Sequence, residues 1–237
     1  MPAAVWVILP TYDEAATLEP VVRGVLAALP GSHVLVVDDA SPDGTGAIAD
    51  RLAAEHEGVQ VLHRAGKDGL GSAYLAGFAY ALDAGAERVI QMDSDLSHDP
   101  ADLPRLLASD AALAIGSRYV PRGGIDGWGR LRRIVSRAGC AYARRVLGAP
   151  VRDLTSGIRC WRAEALAAVA PERLRSQGYA FQVELAHRTL QRGLSVEEIP
   201  IVFHGREQGR SKMSARIALE AAWVVPALRF ARDLPTT

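Results

Sequence analysis

With 237 residues, 49% of them hydrophobic, the chain can bury an extensive core and falls within the size of one large α/β domain. Lys plus Arg and Asp plus Glu each number 27, a formal net charge of +0, which argues against a nucleic-acid binder acting through bulk positive charge. Two cysteines, Cys140 and Cys160, form neither a CxxC pair nor a zinc spacing and are too few for a disulfide framework, which suits a reducing cytosol.

Met1 is followed almost directly by Val5-Trp6-Val7-Ile8-Leu9, without a basic leader and cleavage site, and no apolar run approaches the ~20 residues of a membrane span. A soluble or peripheral protein is expected. Residues 5–9, 34–37, 59–62, 89–92 and 113–115 are short β-branched runs without polar alternation, so they are expected as strands buried on both faces. Between them, 17–29, 44–55, 71–84 and 101–107 are rich in Ala and Leu at helical spacing. The alternation predicts an α/β fold, a mainly parallel doubly wound sheet flanked by helices. Beyond residue 117 the rhythm changes. A Gly- and Arg-rich stretch, 118–133, leads into a helix ending at 147, with helical segments expected at 163–169 and 181–191 and a strand at 196–202. A mobile polar loop is expected at 205–212 and a helical segment with an internal Pro226 at 214–232. No repeat or low-complexity tract marks a boundary, so one domain spanning 1–237 is expected.

In such sheets ligands sit beyond the carboxyl ends of the strands, and the polar clusters fall there. Asp93-x-Asp95 puts two hard oxygen ligands where a divalent cation can bridge a diphosphate. The alternative is a buried strand-end acid plus Asp95 as N-cap of a helix starting near Asp99-Pro100. Asp38-Asp39-x-Ser41-x-Asp43-Gly44 can accept hydrogen bonds from a base or ribose; Ser41 or Asp43 as an N-cap is the other reading, which leaves the adjacent Asp38 and Asp39 unexplained. Asp13 and Glu14 also suit the first turn of a helix. Lys67, in Arg64-x-Gly66-Lys67-x-Gly69-Leu70-Gly71, can set a cation near a diphosphate, although the spacing is neither a P-loop nor a dinucleotide fingerprint. Arg118, Arg122, Arg130, Arg132, Arg133 and Arg137 make a local basic patch, suited to a phosphate or to a solvated helix face. Arg206-x-x-Gly209-Arg210-Ser211-Lys212 suits a lid over a phosphorylated ligand or an ordinary exposed loop.

Taken in order, Pro10-Thr11-Tyr12-Asp13-Glu14, Val37-Asp38-Asp39-Ala40-Ser41-Pro42-Asp43-Gly44, Lys67-Asp68-Gly69-Leu70-Gly71, Met92-Asp93-Ser94-Asp95-Leu96-Ser97-His98, Gly116-Ser117-Arg118-Tyr119 and Asp153-Leu154-Thr155-Ser156-Gly157 resemble the dolichol-phosphate mannose synthase branch of the family 2 GT-A glycosyltransferases. The resemblance covers roughly residues 5–213. It implies a GT-A fold with a donor half of about 1–117 and an acceptor half of about 118–237, and inverting, metal-dependent transfer of mannose from GDP-mannose to polyprenyl (dolichyl) monophosphate. It assigns Pro10, Tyr12, Glu14, Asp38, Asp39 and Lys67 to the donor nucleotide, with Asp93, Arg206 and Lys212 on the donor side as well. Mg²⁺ or Mn²⁺ is implied at Asp93, Asp95 and Ser97, where relatives commonly carry Gln in place of Ser97 and Asn in place of Asp13. The acceptor phosphate is assigned to Arg118, Arg132 and Ser136, and the reacting centre to Asp95, Arg118 and Asp153, with Ser156 on the acceptor floor. Because a phosphate monoester has its second pKa near ~6, the nucleophile is already largely ionised and Asp153 is expected to orient rather than to act as a base.

A polyprenol substrate implies work at a membrane surface, peripheral on its cytoplasmic face, with the Trp128 region, the helix from Arg130 and residues 217–230 as candidates for insertion. A membrane-anchoring protein is a further expected partner; nucleic acid is not. Competing readings are a UDP-glucose-dependent polyprenyl-phosphate glucosyltransferase, a family 2 transferase with another acceptor, and a nucleotide-sugar-binding protein without turnover. A nucleotidyltransferase would need a Gly-rich basic loop where Pro10-Thr11-Tyr12 stands, and a receiver domain an Asp where His63-Arg64 ends the third strand.

Overall fold

The computed structural model describes residues 4–174, 176, 178–205 and 225–230. Its strands are β1 Val5–Thr11, β2 His33–Asp38, β3 Val59–His63, β4 Arg88–Gln91, β5 Leu113–Ser117, β6 Gly124–Ile125, β7 Arg159–Arg162, β8 Val196–Pro200 and β9 Val202–Phe203. The helices are α1 Leu18–Ala28, α2 Thr45–Glu55, α3 Leu70–Asp83, α4 Leu103–Leu107, α5 Arg130–Leu147, α6 Ala163–Val169 and α7 Gly178–Gln191. Seven strands form one sheet in the order β3-β2-β1-β4-β7-β5-β8, and β6 pairs with β9 in a small parallel ribbon.

The β-branched runs become strands because both faces of the sheet are covered. Along β1, Trp6 and Ile8 enter the layer that contains Tyr74 and Phe78 of α3 and Phe181 of α7, while Val5, Val7 and Leu9 enter the layer of α1, α2 and α4. Successive side chains point to opposite faces, so a strand covered twice shows no polar alternation. β3 departs from the expectation: it is the edge strand, with Gln60, Val61 and Leu62 half-buried and His63 exposed.

The strand β7 was not expected. It runs antiparallel between β4 and β5, with Gln91 opposite Arg159 and Ile115 opposite Arg159 on its other side. Six strands therefore point one way and one is reversed. The reversal matters for the site, because it brings the loop before β7, containing Asp153 to Gly157, to the edge where the other strands end.

Two further expectations change. The segment 196–202 divides into β8 and β9, which belong to different sheets. Asp99, not Asp95, caps the turn Pro100–Asp102, accepting the Ala101 amide at 2.9 Å. Most of 205–212 and 214–232 lies outside the described residues; within 225–230 the backbone is helical, with Val225 and Leu228 in the core and the Arg229 side chain donating to the Val146 carbonyl at 2.6 Å.

Candidate active site

At the ends of β1 and β2 two loops are stitched together by side chains that cap backbone amides. The amides of Asp13, Glu14 and Ala15 donate to Ser41 Oγ (3.2 Å), Thr45 Oγ1 (3.0 Å) and Asp43 Oδ2 (3.0 Å). Asp43 Oδ1 also accepts the Thr45 amide at 3.0 Å; burial pushes its pKa up, but the hydrogen bonds from Thr45 and Ala15 prevail and hold it below the usual carboxylate value. Asp13 has φ of +58°, a left-handed conformation that Asp and Asn both tolerate, which explains how one replaces the other here.

Asp38 is buried, and its carboxylate accepts from Ser41 Oγ (2.6 Å) and Thr11 Oγ1 (3.3 Å), so its oxygens already serve the turn. Asp39 pairs with Arg64 Nη1 at 2.6 Å, while Arg64 Nη2 donates to Ser72 Oγ on α3. Burial raises the Asp39 pKa, with Arg64 opposing only in part. Lys67 Nζ stands 3.6 Å from the centre of the Tyr12 ring, and the Pro10 carbonyl accepts from Ser94 Oγ at 2.8 Å. Glu14 Oε2 accepts from Thr17 Oγ1 at 3.1 Å. Pro10, Tyr12, Glu14, Asp38, Asp39 and Lys67 thus gather at one end of the sheet.

Next in the sheet, the turn after β4 carries Asp93 and Asp95. Tyr74 OH donates to Asp93 Oδ1 at 3.3 Å, and burial lifts the Tyr74 pKa well above its ordinary value, so the phenol stays protonated and remains a donor. Gly157 backs the same carboxylate: a Cβ there would lie 2.9 Å from Asp93 Oδ2. Asp95 Oδ1 accepts both the amide (3.0 Å) and the hydroxyl of Ser97, and Ser97 is fully buried. Between them Leu96 is held at φ +61°, a strained conformation for a residue with a γ-branched side chain. His98, unassigned in the sequence, is buried, with Nε2 3.6 Å from Asp93 Oδ2 and neither ring nitrogen hydrogen-bonded among the described residues. Among the described residues no three His, Cys, Asp or Glu side chains already converge on a common point. Two hard carboxylates with an orphaned imidazole beside them fit an open cation site that a ligand's phosphates complete.

The residues expected on the acceptor side meet around a buried ion pair. Arg118 Nε and Nη2 donate to the two oxygens of Asp153 at 2.7 and 2.6 Å, and Nη2 also donates to Thr155 Oγ1 at 2.8 Å. Burial alone would push the Asp153 carboxyl up; the Arg118 guanidinium outweighs it and leaves the pKa below the usual value. For Arg118 burial works against the charge, and Asp153 prevails to raise the pKa. Nη1 of Arg118 carries no hydrogen bond among the described residues. Tyr119, Trp128 and Phe203 surround the guanidinium at 5.2, 5.8 and 5.6 Å. Arg132 stacks over Trp128 at 3.9 Å, and Tyr119 OH donates to Ser136 Oγ at 2.6 Å. Arg118, Arg132 and Ser136 are therefore brought together; Arg206 and Lys212 lie outside the described residues.

Two supports here escaped the sequence reading. Glu198 of β8 accepts the amides of Arg152 (2.8 Å) and Asp153 (2.9 Å). Arg159 is wholly buried and donates to the carbonyls of Leu154, Ser156 and Gln182 at 2.8, 3.0 and 2.8 Å. Burial pulls its pKa down to about 9, so it stays charged at neutral pH and fixes the Asp153–Ser156 loop. Neither had a local signal, because each acts only through the strand order.

Trp128 is buried against Phe203, which corrects the expectation that it inserts into a membrane. The outer face of α5 is different: Leu131, Ile134, Val135 and Tyr142 are exposed among exposed Arg130, Arg133, Arg137, Arg144 and Arg145, and the helix contains no acid. No helix among the described residues is long and apolar enough to cross a membrane. An open cavity of about 730 Å³ lies apart, between Asp99, Asp102, Arg105, Arg122, Asp126 and His204, and none of the residues assigned to donor, cation or acceptor lines it.

Comparison with known proteins bears on this arrangement. The chain is 48% identical over 216 residues to the undecaprenyl-phosphate mannosyltransferase of Micrococcus luteus, covering 90% of this chain and 89% of that protein. It is 48% identical over 223 residues to the polyprenol monophosphomannose synthase of Mycolicibacterium smegmatis, covering 92% and 84%. In fold it matches glucosyl-3-phosphoglycerate synthase from Mycobacterium tuberculosis, solved with Mn²⁺, UDP and glucosyl-3-phosphoglycerate, at TM-score 0.71, 21% identity and 98% and 82% coverage. A mannosyltransferase from Pyrobaculum calidifontis, solved with GDP-Man and Mn²⁺, matches at TM-score 0.59 and 20% identity, over 91% of this chain and 60% of that one. The family model described as glycosyl transferase family 2 matches residues 6–169, and the chain belongs to that family.

Proposed function

We propose that the protein transfers mannose from GDP-mannose to polyprenyl monophosphate at a membrane surface. The observation that carries this is the reversed strand β7, which sets the Arg118–Asp153 pair at the same sheet edge as the Asp93–Asp95 turn. In this reading a diphosphate and a monophosphate take separate, adjacent sites. The two relatives at 48% identity, an undecaprenyl-phosphate mannosyltransferase and a polyprenol monophosphomannose synthase, support the sugar and the acceptor class.

In this reading Tyr12, Glu14, Asp39 and Lys67 hold the nucleotide, and Asp38 keeps their turn in shape. Asp93 and Asp95 hold a divalent cation, which when bound supplies positive charge to the departing diphosphate. Arg118 offers Nη1 to the acceptor phosphate, beside Arg132 and Ser136. Asp153 orients Arg118 and is no base, since its carboxylate is buried and fully engaged with that guanidinium. A phosphate oxygen, already ionised at neutral pH, attacks the sugar C1; the C1–O bond to the diphosphate breaks, GDP leaves and the anomeric centre inverts. The exposed face of α5, apolar and arginine-rich, lies on the acceptor side and suits an anionic leaflet on the cytoplasmic side.

The test is transfer of radiolabelled sugar from GDP-mannose, and in parallel from UDP-glucose, into organic-extractable polyprenyl phosphate, with Mg²⁺, Mn²⁺ or EDTA. Label from GDP-mannose that needs the metal and vanishes in Asp95→Ala and Arg118→Ala supports the proposal. Label from UDP-glucose alone changes the sugar, and no lipid product with intact nucleotide binding overturns the acceptor.

A further inference from the structure

Resting on the cation reading of the Asp93–Asp95 turn, we infer that His98 is a direct ligand of that cation through Nε2, and that this nitrogen makes the site prefer Mn²⁺ to Mg²⁺. Ser97, next to it, is turned the other way: its amide and hydroxyl both serve Asp95 Oδ1. His98 faces Asp93. The residue is 2% exposed, and its ring is held edge-on by Phe203, with centroids 5.2 Å apart and planes at 85°. Neither ring nitrogen has a hydrogen-bond partner among the described residues, although leaving a buried polar group unsatisfied is costly.

The 3.6 Å between Nε2 and Asp93 Oδ2 is the informative distance. A ring N–H aimed at a carboxylate in the protein interior closes to about 2.8 Å. A ring lone pair facing a carboxylate instead leaves two electron-pair donors opposed, and a cation between them satisfies both. Asp93 is braced at its other oxygen by Tyr74 OH, and Gly157, where a Cβ would lie 2.9 Å from Oδ2, keeps the space beside that oxygen clear. Two carboxylates alone are hard oxygen donors that suit Mg²⁺ and Mn²⁺ alike; adding an imidazole favours the transition metal.

Mn²⁺ binding is measured on the full chain by electron paramagnetic resonance, with Mg²⁺ as competitor, in wild type, His98→Gln and His98→Asn. The expected result is a ¹⁴N coupling to bound Mn²⁺ in wild type that is absent from both variants. Mn²⁺ affinity should fall on the order of tenfold or more and Mg²⁺ affinity should change less. Unchanged circular dichroism and melting of the metal-free variants establish that they fold, and His98→Cys serves if neither does, with the preference moving towards Cd²⁺. Tight Mn²⁺ binding by wild type with no nitrogen coupling, or with equal affinity in a folded variant, overturns the inference. Failure of wild type to bind either metal, with and without GDP, overturns the cation reading itself.

Discussion

The turns proposed for the donor and the floor proposed for the acceptor both hold polar side chains still, and they do so largely by different means. After β1 and β2 the backbone is tied by short neutral or singly charged caps: Ser41, Thr45 and Asp43 take the amides of Asp13, Glu14 and Ala15, the first and last of these bonds at the surface. Before β7 the work is done by full charges removed from water, Arg118 with Asp153 and Arg159 with three carbonyls. The difference teaches that the two halves tolerate change unequally. A surface cap lost is replaced in part by water, whereas a buried charge without its partner has nothing to turn to.

The largest expected effect is therefore on the acceptor side. Asp153→Ala strands Arg118 in the interior and should lower stability by about 3–5 kcal/mol, read from the midpoint of urea unfolding, besides abolishing transfer. A loss below about 1 kcal/mol would mean that water reaches the pair, and the contrast between the halves would collapse.

Asp43→Ala should come next. It removes acceptors for the Thr45 and Ala15 amides and should cost about 1–2 kcal/mol in the same experiment, with KM for the donor raised more than kcat is lowered. Equal losses for Asp43→Ala and Asp153→Ala would erase the distinction.

Acid titration sharpens the comparison through its sign. Asp153 has a depressed folded pKa, so the stability it contributes is present above its unfolded value of about 3.9 and is lost as pH falls through the lower folded value. Asp39, raised by burial, behaves oppositely: its contribution is present below about 3.9 and is lost as pH rises through its folded value. Melting temperatures followed from about pH 2 to 6 should show a flatter acid limb for Asp153→Asn. Asp39→Asn should instead gain on wild type as pH rises through that range.

The smallest effect on stability is expected at α5. Replacing exposed Leu131 and Ile134 with Ser should change unfolding by no more than about 0.5 kcal/mol while weakening sedimentation with anionic vesicles on the order of tenfold. A large loss of stability there would show that the face packs against protein instead.

Much of the fold was legible along the chain. The runs 5–9, 34–37 and 113–115 lie within β1, β2 and β5, because a strand covered on both faces must be apolar throughout. The Asp93–Asp95 turn and the clusters at residues 10–14 and 38–43 stood out for a related reason: acids at the ends of apolar strands contrast sharply with what precedes them. β7 did not stand out, since Arg159-Cys160-Trp161-Arg162 carries two arginines and no β-branched residue. It is a strand because β4 and β5 flank it and supply its hydrogen-bond partners.

The sequence by itself determined most of the segments that are strands and helices, and marked the polar clusters at their ends as candidates for chemistry, because burial imposes a local period that can be read residue by residue. Only the tertiary structure decided who meets whom. The pairing of Arg118 with Asp153 across 35 positions, the burial of Arg159, the inward Trp128 and the facing of His98 on Asp93 all depend on sheet order and on one reversed strand. Those contacts are set by the closure of distant chain, and no local periodicity records them.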